Sequence, residues 1–383
     1  MASHREGFHV DTVTRLLRST LLNERLTLPL AAAATYLTLP TSRPHLDALT
    51  RALSSLHLPP SLLTSALARK TTLVTLSATG LLITLNSFLN RQLTNNWTAP
   101  SDWDWTREIV LITGGSSGIG ASIAQHLLAR NPATTIIIID FAPLGWTPPA
   151  GANLHYYQAD LSSSAAIRDV CTRIRADVGH PTVLVNNAGI ARGYNLLEGR
   201  YEDVELTIKT NLIAPMLLAK EFVPEMARRN HGHVVSLCSM SAVVAPPGIV
   251  DYAASKAGVQ SFHEGLQVEL ATRYNAPKVR MTIVSPNFVK TPLLFEGDTG
   301  MPGFLAPLLH VDTVGERIVE ALYSGYGRTI YLPGLMRFVS SFRGAPEWML
   351  RAFFRNPTSR HKWDYTGKQS ISKTGGLAVA ESS

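Results

Sequence analysis

At 383 residues the chain can hold one large core with extensions or two domains, and its 45% apolar content is that of ordinary globular material. Its net charge of +7 belongs to the flanks: residues 1–100 carry nine Lys and Arg against four Asp and Glu, residues 334–383 eight against three, and the middle 18 against 21. This excludes a basic nucleic-acid face on a folded core and suits basic ends beside an anionic membrane surface; Cys171 and Cys238, the only cysteines, suggest neither a disulfide framework nor a cysteine zinc site.

The first hundred residues hold two long uncharged stretches, 26–42 and 71–90. The second, "TTLVTLSATGLLITLNSFLN", has 20 residues, about the length that crosses a bilayer. Its Thr, Ser and Asn residues lower its hydrophobicity, so a soluble accessory helix is the alternative to a membrane span. A cleaved signal peptide is disfavoured by the polar extreme N-terminus. Arg69 and Lys70 before the stretch and Arg91 after it leave its orientation unread.

Residues 95–107 read as a linker rich in turn formers. Short apolar runs then alternate with helix-length segments: "EIVLIT", "TTIIIID", "LHYYQAD", "TVLVNNAG", "GHVVSLCS", "VRMTIVSP" and "RTIYLP". Strands apolar on both faces and separated by helices predict an α/β fold, a doubly wound parallel sheet of Rossmann type. The expected division is 1–106, a helical membrane-associating extension; 107–333, the Rossmann domain; and 334–383, a helical tail and disordered C-terminus. In the tail, Leu335, Phe338, Val339 and Phe342 fall at helical spacing beside Arg337 and Arg343. That pattern suits a helix lying in a membrane interface, or one packed on the domain or a second subunit.

The loop "TGGSSGIG" places Gly114, Ser116, Gly118, Ile119 and Gly120 between a strand and a helix. Glycines there permit the tight turn and let backbone approach a pyrophosphate at the helix N-terminus. Asp140 follows Gly120 by 20 residues at the end of the second strand, where a carboxylate accepts hydrogen bonds from a ribose and repels a 2′-phosphate. No Arg or Lys occupies 115–117 and Phe141 follows the acid, so NAD is favoured and NADP remains possible. Tyr252 and Lys256, four apart, share a helix face. An ammonium near the phenol would pull its pKa down from about 10 and make Tyr252 an acid/base group. Ser239, 13 residues earlier at a strand end, points into the crevice where such sheets bind ligands. His231 and His233 flank a glycine before a strand and read as structural; no metal is predicted.

Together, "TGGSSGIG", "NNAG", Asn211, Ser239, Tyr252 with Lys256, and "SPNFVKT" resemble the short-chain dehydrogenase/reductase family over about residues 107–333. The resemblance implies that Tyr252 gives or takes the proton, Lys256 lowers its pKa and holds the nicotinamide ribose, Ser239 steadies the substrate oxygen, and Asn211 holds a water linking Lys256 to solvent. It also implies that Ile119 contacts the cofactor, Asp160 sits by the adenine, Asn187 lines the cofactor site, and Val289 and Thr291 contact the nicotinamide amide. The family usually has Pro-Gly where this chain has Pro286-Asn287. "PNF", with "NHGHVV" upstream, is similar to the branch of membrane- or lipid-droplet-bound retinol and 17-beta-hydroxysteroid dehydrogenases. A hydrophobic alcohol or carbonyl substrate, an endoplasmic reticulum or lipid-droplet location and a homodimer are the matching expectations. An NADPH-dependent ketoreductase and a non-catalytic membrane scaffold are the rivals. The apolar segment after Thr291, with Leu293, Leu294, Phe295, Phe304 and Leu305, reads as a lid over the substrate or as a packed loop.

Overall fold

The computed structural model describes residues 5–36, 39–55, 70–291, 293, 303–354, 369–371 and 377–379. Seven strands form one sheet: β1 (Ile109–Thr113), β2 (Thr135–Asp140), β3 (Leu154–Gln158), β4 (Val183–Asn186), β5 (Gly232–Leu237), β6 (Val279–Pro286) and β7 (Thr329–Leu332). Their order is β3-β2-β1-β4-β5-β6-β7 and every pairing is parallel. This is the doubly wound sheet that the alternating pattern predicts.

Strand β2 shows why the pattern is so legible. Ile136 and Ile138 face one core with Ile123, Leu127 and Leu128 of α5 (Gly118–Arg130). Ile137 and Ile139 face the other, with Ile167 and Ile174 of α6 (Ser164–Asp177). All four isoleucines are fully buried, each contributing about 2 kcal/mol of burial. The chain starts at β1 and moves outward in both directions, so the strand order reverses between β1 and β4. The crevice at their C-terminal ends is the ligand position in such a sheet. Helices α7 (Tyr201–Ile208), α8 (Ala214–Arg229), α9 (Val250–Thr272) and α10 (Val311–Tyr323) complete the layers.

The stretch read as a linker is part of the core. The Arg280 guanidinium, 1% exposed, donates to the carbonyls of Asn95, Thr98, Ala99 and Gly325 and to the Thr98 hydroxyl. The buried Asn95 side chain donates to the Gly327 carbonyl and accepts from its N–H. The compact unit that holds the sheet therefore takes in residues 91–106 as well, and residues 5–9 group with it. Turn-forming composition hid this because the contacts are with backbone carbonyls, which any sequence supplies.

Residues Val10–Asn90 form a second compact unit. It contains α1 (Val10–Ser19), α2 (Glu24–Tyr36), α3 (Arg43–Ser55) and most of α4 (Lys70–Thr94). Helix α4 is long and apolar enough to cross a membrane. Its hydroxyls do not oppose that: Thr75, Ser77, Thr79 and Ser87 each donate to the carbonyl four residues back, at 2.8 Å.

Beyond β7 come α11 (Met336–Ser340) and α12 (Glu347–Phe354). Of the two readings of the tail, α11 follows the one that packs on the domain, through Met336 and Val339, although Phe338 stays exposed. The disorder expected of the C-terminus is not what the described residues show, since β8 (Gln369–Ile371) pairs antiparallel with β9 (Leu377–Val379). The strand formers Ile371, Leu377 and Val379 were masked by the surrounding Gly, Ser and Lys.

Candidate active site

The glycine-rich loop joins β1 to α5 by two left-handed residues, Gly114 at φ +67° and Gly118 at φ +57°. Both need glycine. A Cβ on Gly120 would run into the Gly114 carbonyl and lie 2.7 Å from Nδ2 of Asn187. That amide donates to the carbonyls of Thr113, at 2.8 Å, and Gly114, at 3.0 Å, while the Thr113 hydroxyl accepts the N–H groups of Asn187 and Ala188. Asn187 thus holds the loop's shape. Helix α5 presents its first N–H groups with no side-chain cap from Ser117. A glycine cradle ending at an uncapped helix N-terminus fits a pyrophosphate.

Asp140, 7% exposed at the end of β2, accepts from the Ser116 N–H at 2.9 Å and the Ala142 N–H at 3.1 Å. Burial raises its carboxyl above the usual range, and these backbone donors partly offset that. Each oxygen keeps a lone pair for a ribose hydroxyl. The loop after Asp140 folds down onto the glycine loop. Trp146 Nε1 donates to the Gly115 carbonyl, Gly145 N–H to the Ser116 carbonyl, and the Ser116 hydroxyl to the Ala142 carbonyl. Ile119 packs partly buried against the core. Asp160 sits half-buried beyond β3, its carboxylate accepting the Ser162 N–H.

At the ends of β4, β5 and β6 the second cluster gathers. Lys256, 4% exposed on α9, donates from Nζ to the Leu237 carbonyl at 2.8 Å. Its Nζ lies 5.5 Å from the centroid of the Tyr252 ring. Ser239 ends the strand run and caps the 3-10 turn Met240–Ala242, accepting the Ser241 N–H. Asn211 lies in a π-helical turn, Lys209–Ile213, between α7 and α8. Its side chain accepts the Ile190 N–H and donates to the Ile190 carbonyl and the Ser255 hydroxyl. A Cβ on Gly189 would lie 3.4 Å from both Asn211 Oδ1 and Lys256 Nζ. Gly189 therefore keeps open the space between the two groups that a linking water would need.

The charge state differs from the expectation of a lowered phenol. Burial pushes Tyr252 up to about 12, with the neighbouring Cys238 adding to the rise and Ser239 pulling against it. Burial also brings Lys256 down to about 8. The ammonium sits over the ring and donates a hydrogen bond to a carbonyl, so it does not outweigh the desolvation of the phenolate. Tyr252 is protonated at neutral pH in this state.

Val289 is buried after β6 and bridges to Leu309, which closes the base of the following loop; Thr291 stands just beyond. Asn287 donates its N–H to the Leu332 carbonyl, and its side-chain nitrogen is buried without a partner. Of the apolar residues read as a lid, Leu293 packs against the Ala191 and Ile249 cluster, as Tyr252 does. Phe304 and Leu305 are exposed, and Leu294 and Phe295 lie outside the described residues. No group of three or more His, Cys, Asp or Glu able to hold a metal occurs among the described residues. His231 approaches Glu108, and His233 meets the Thr282 hydroxyl in the core.

Sequence reading passed over Thr113, Gly189 and Trp146. Thr113 and Gly189 stand inside the "TGG" and "NNAG" runs and were available there. Trp146 reaches a loop 31 residues away and carries no local signal.

Residues 108–299 match the family model for short chain dehydrogenase. Dehydrogenase RED2 of Cochliobolus heterostrophus is 40% identical over 52% of this chain and 75% of that protein. Human epidermal retinol dehydrogenase 2 is 33% identical over 61% of this chain and 76% of its own. Human estradiol 17-beta-dehydrogenase 11 is 30% identical over 65% and 83%. Among solved structures, a short-chain dehydrogenase from Sphingobium yanoikuyae in complex with NADPH matches with TM-score 0.53 and 25% identity, over 65% of this chain and 97% of that one.

Proposed function

The chain belongs to the short-chain dehydrogenase family, an NAD(P)-dependent oxidoreductase acting on alcohols, and from that premise we propose that it interconverts a hydrophobic alcohol and its carbonyl compound, with NAD preferred, at a membrane or lipid-droplet surface. The observation that carries the reading is the convergence of Tyr252, Lys256, Ser239 and the Gly189 gap at the strand ends beside the glycine cradle.

Gly114, Gly118, Gly120 and the α5 N-terminus would hold the pyrophosphate, Asp140 the adenosine ribose, with Ile119, Asp160, Asn187, Val289 and Thr291 lining the remaining length. The bound nicotinamide supplies or accepts the hydride. Tyr252 gives its phenol proton to the carbonyl oxygen in reduction and takes it from the alcohol in oxidation. Ser239 orients that oxygen. Lys256, held by the Leu237 carbonyl, carries positive charge beside the phenol, and Asn211 supports the water that reaches it across Gly189. Leu293, sharing the Ala191 and Ile249 cluster with Tyr252, supports an apolar substrate. So do the retinol and estradiol in the names of two relatives.

The exposed apolar side chains of α4, among them Leu81, Leu82, Leu85 and Leu93, support embedding in lipid. Nicotinamide fluorescence on purified protein, with NAD and NADP against retinoid, steroid and long-chain alcohols, tests the function. Turnover with NAD on such an alcohol is expected, and binding of neither cofactor would overturn it. Alkaline carbonate washing of membranes tests the attachment: release of the full-length chain excludes an embedded α4.

A further inference from the structure

Ser239 is held by a single turn of chain, and both ends of that turn are fastened. At its start the Ser239 hydroxyl accepts the Ser241 N–H at 3.1 Å. At its end the N–H groups of Val243 and Val244 both return to the Met240 carbonyl. This leaves the carbonyls of Ala242 and Val243 pointing out of the turn. Arg343, 100 residues beyond Val243, takes both: Nη2 donates to the Ala242 carbonyl at 2.6 Å and Nε to the Val243 carbonyl at 3.0 Å. The planar fork of a guanidinium holds two adjacent acceptors in a fixed geometry, which an ammonium on its flexible stem does not. Positive charge also suits the carbonyl end of a helical turn.

The same segment of tail packs the turn's apolar side. Met336, buried on α11, and Val339 cluster with Met240 and Val243 of the turn and with Ala306. Helix α9, which bears Tyr252 and Lys256, packs against the turn as well. The turn is therefore gripped between the catalytic helix and a tail that lies outside the 108–299 segment matched by the family model.

We propose that Arg343 is a positioning residue for the reaction: by tying off the Ala242 and Val243 carbonyls it fixes the turn and sets the Ser239 hydroxyl against Tyr252. The inference rests on the role proposed above for Ser239, and it makes the C-terminal tail part of the active-site machinery. A displacement of about 1 Å in a positioning group is enough to cost one to two orders of magnitude in rate.

The test compares full-length wild type, Arg343→Ala and Arg343→Lys in detergent, by NAD-dependent oxidation of all-trans-retinol and estradiol and by hydrogen exchange. In Arg343→Ala the kcat should fall about tenfold with the cofactor dissociation constant unchanged. Arg343→Lys should recover only part of the loss, since an ammonium on a flexible stem lacks the fixed fork that holds both carbonyls in place. The rising limb of oxidation against pH should also move upward, because Ser239 is the group pulling Tyr252 down while burial and Cys238 push it up; Lys256 is the charged group facing it from α9. Exchange should quicken in residues 239–245 and stay unchanged in 113–120.

Wild-type kcat and unchanged exchange in Arg343→Ala would overturn the proposal. So would a loss shared equally by cofactor binding and by exchange throughout the sheet, which would mark a merely structural residue. If wild type oxidises neither alcohol, the substrate class proposed above fails. Exchange then decides the positioning role: quickening confined to 239–245 supports it, and unchanged protection overturns it.

Discussion

The two ends of the proposed active site are built on different plans. The cofactor half is local: Gly114, Ser116, Gly120, Asp140 and Asn187 come from the first β-α-β unit and the start of its neighbour, and they bond mostly to one another. The surroundings of the proposed substrate end are assembled from far apart. Phe8 meets Phe304, Arg5 pairs with Glu316, Glu6 accepts the His310 N–H and the Thr313 hydroxyl, and Arg343 reaches the turn after Ser239. A local, self-satisfied half tolerates no added atom. An assembled half depends instead on distant segments staying in place.

The largest effect expected from this difference is in the cofactor half. Gly120→Ala drives a methyl into the Gly114 carbonyl and the Asn187 amide. It should abolish measurable cofactor binding, and fluorescence titration checks it; wild-type affinity would break the idea of a closed cradle.

Next comes the assembled principle at the opposite end of β6, where Arg280 stands. Deleting residues 1–90 keeps Asn95, Thr98 and Ala99 for Arg280, whereas deleting 1–100 leaves a buried guanidinium without most of its acceptors. The longer deletion should lose about 3 kcal/mol more stability, read from denaturant melts. Equal midpoints for the two truncations would return the start of the core to residue 107.

A smaller effect separates the cofactors. Asp140→Ala removes a carboxylate that accepts two backbone N–H groups and leaves both in a buried site. The ratio of NAD to NADP efficiency should fall about tenfold; an unchanged ratio would place the selectivity elsewhere, with the Trp146 loop as the next candidate.

The mildest is a pH dependence. Reduction needs the Tyr252 phenol, which its raised pKa of about 12 keeps protonated, so the reductive rate should be level from about pH 6 to 9. Oxidation needs the phenolate, whose fraction grows with pH below that pKa, so the oxidative rate should climb through the same range. A level oxidative profile would mean that the assembled enzyme lowers the phenol as the Lys256 spacing first suggested.

Legibility follows the same division. The parallel sheet and the glycine-rich turn were readable because β-branched runs such as Ile136–Ile139 and the glycines beside them state their environment within a few residues. The Tyr252 and Lys256 pair was readable for the same reason, one helical turn apart. The position of their pKa values was not, because burial depends on what the whole fold stacks over them. The Arg280 clamp, the Trp146 latch and Arg343 bond backbone carbonyls far along the chain, and a carbonyl leaves no mark on composition. The exposed Phe304 and Leu305 show the same limit: their apolar character was plain, but which surface they cover was not.

The most direct test of the account is Tyr252→Phe in the full-length enzyme, scored for turnover of the best alcohol in the panel and for nicotinamide binding. The account predicts turnover about a thousandfold lower with the cofactor still bound at wild-type affinity, since the hydroxyl alone is removed from a half-buried ring. Turnover within a few-fold of wild type would contradict it, because the proton would then travel through another group.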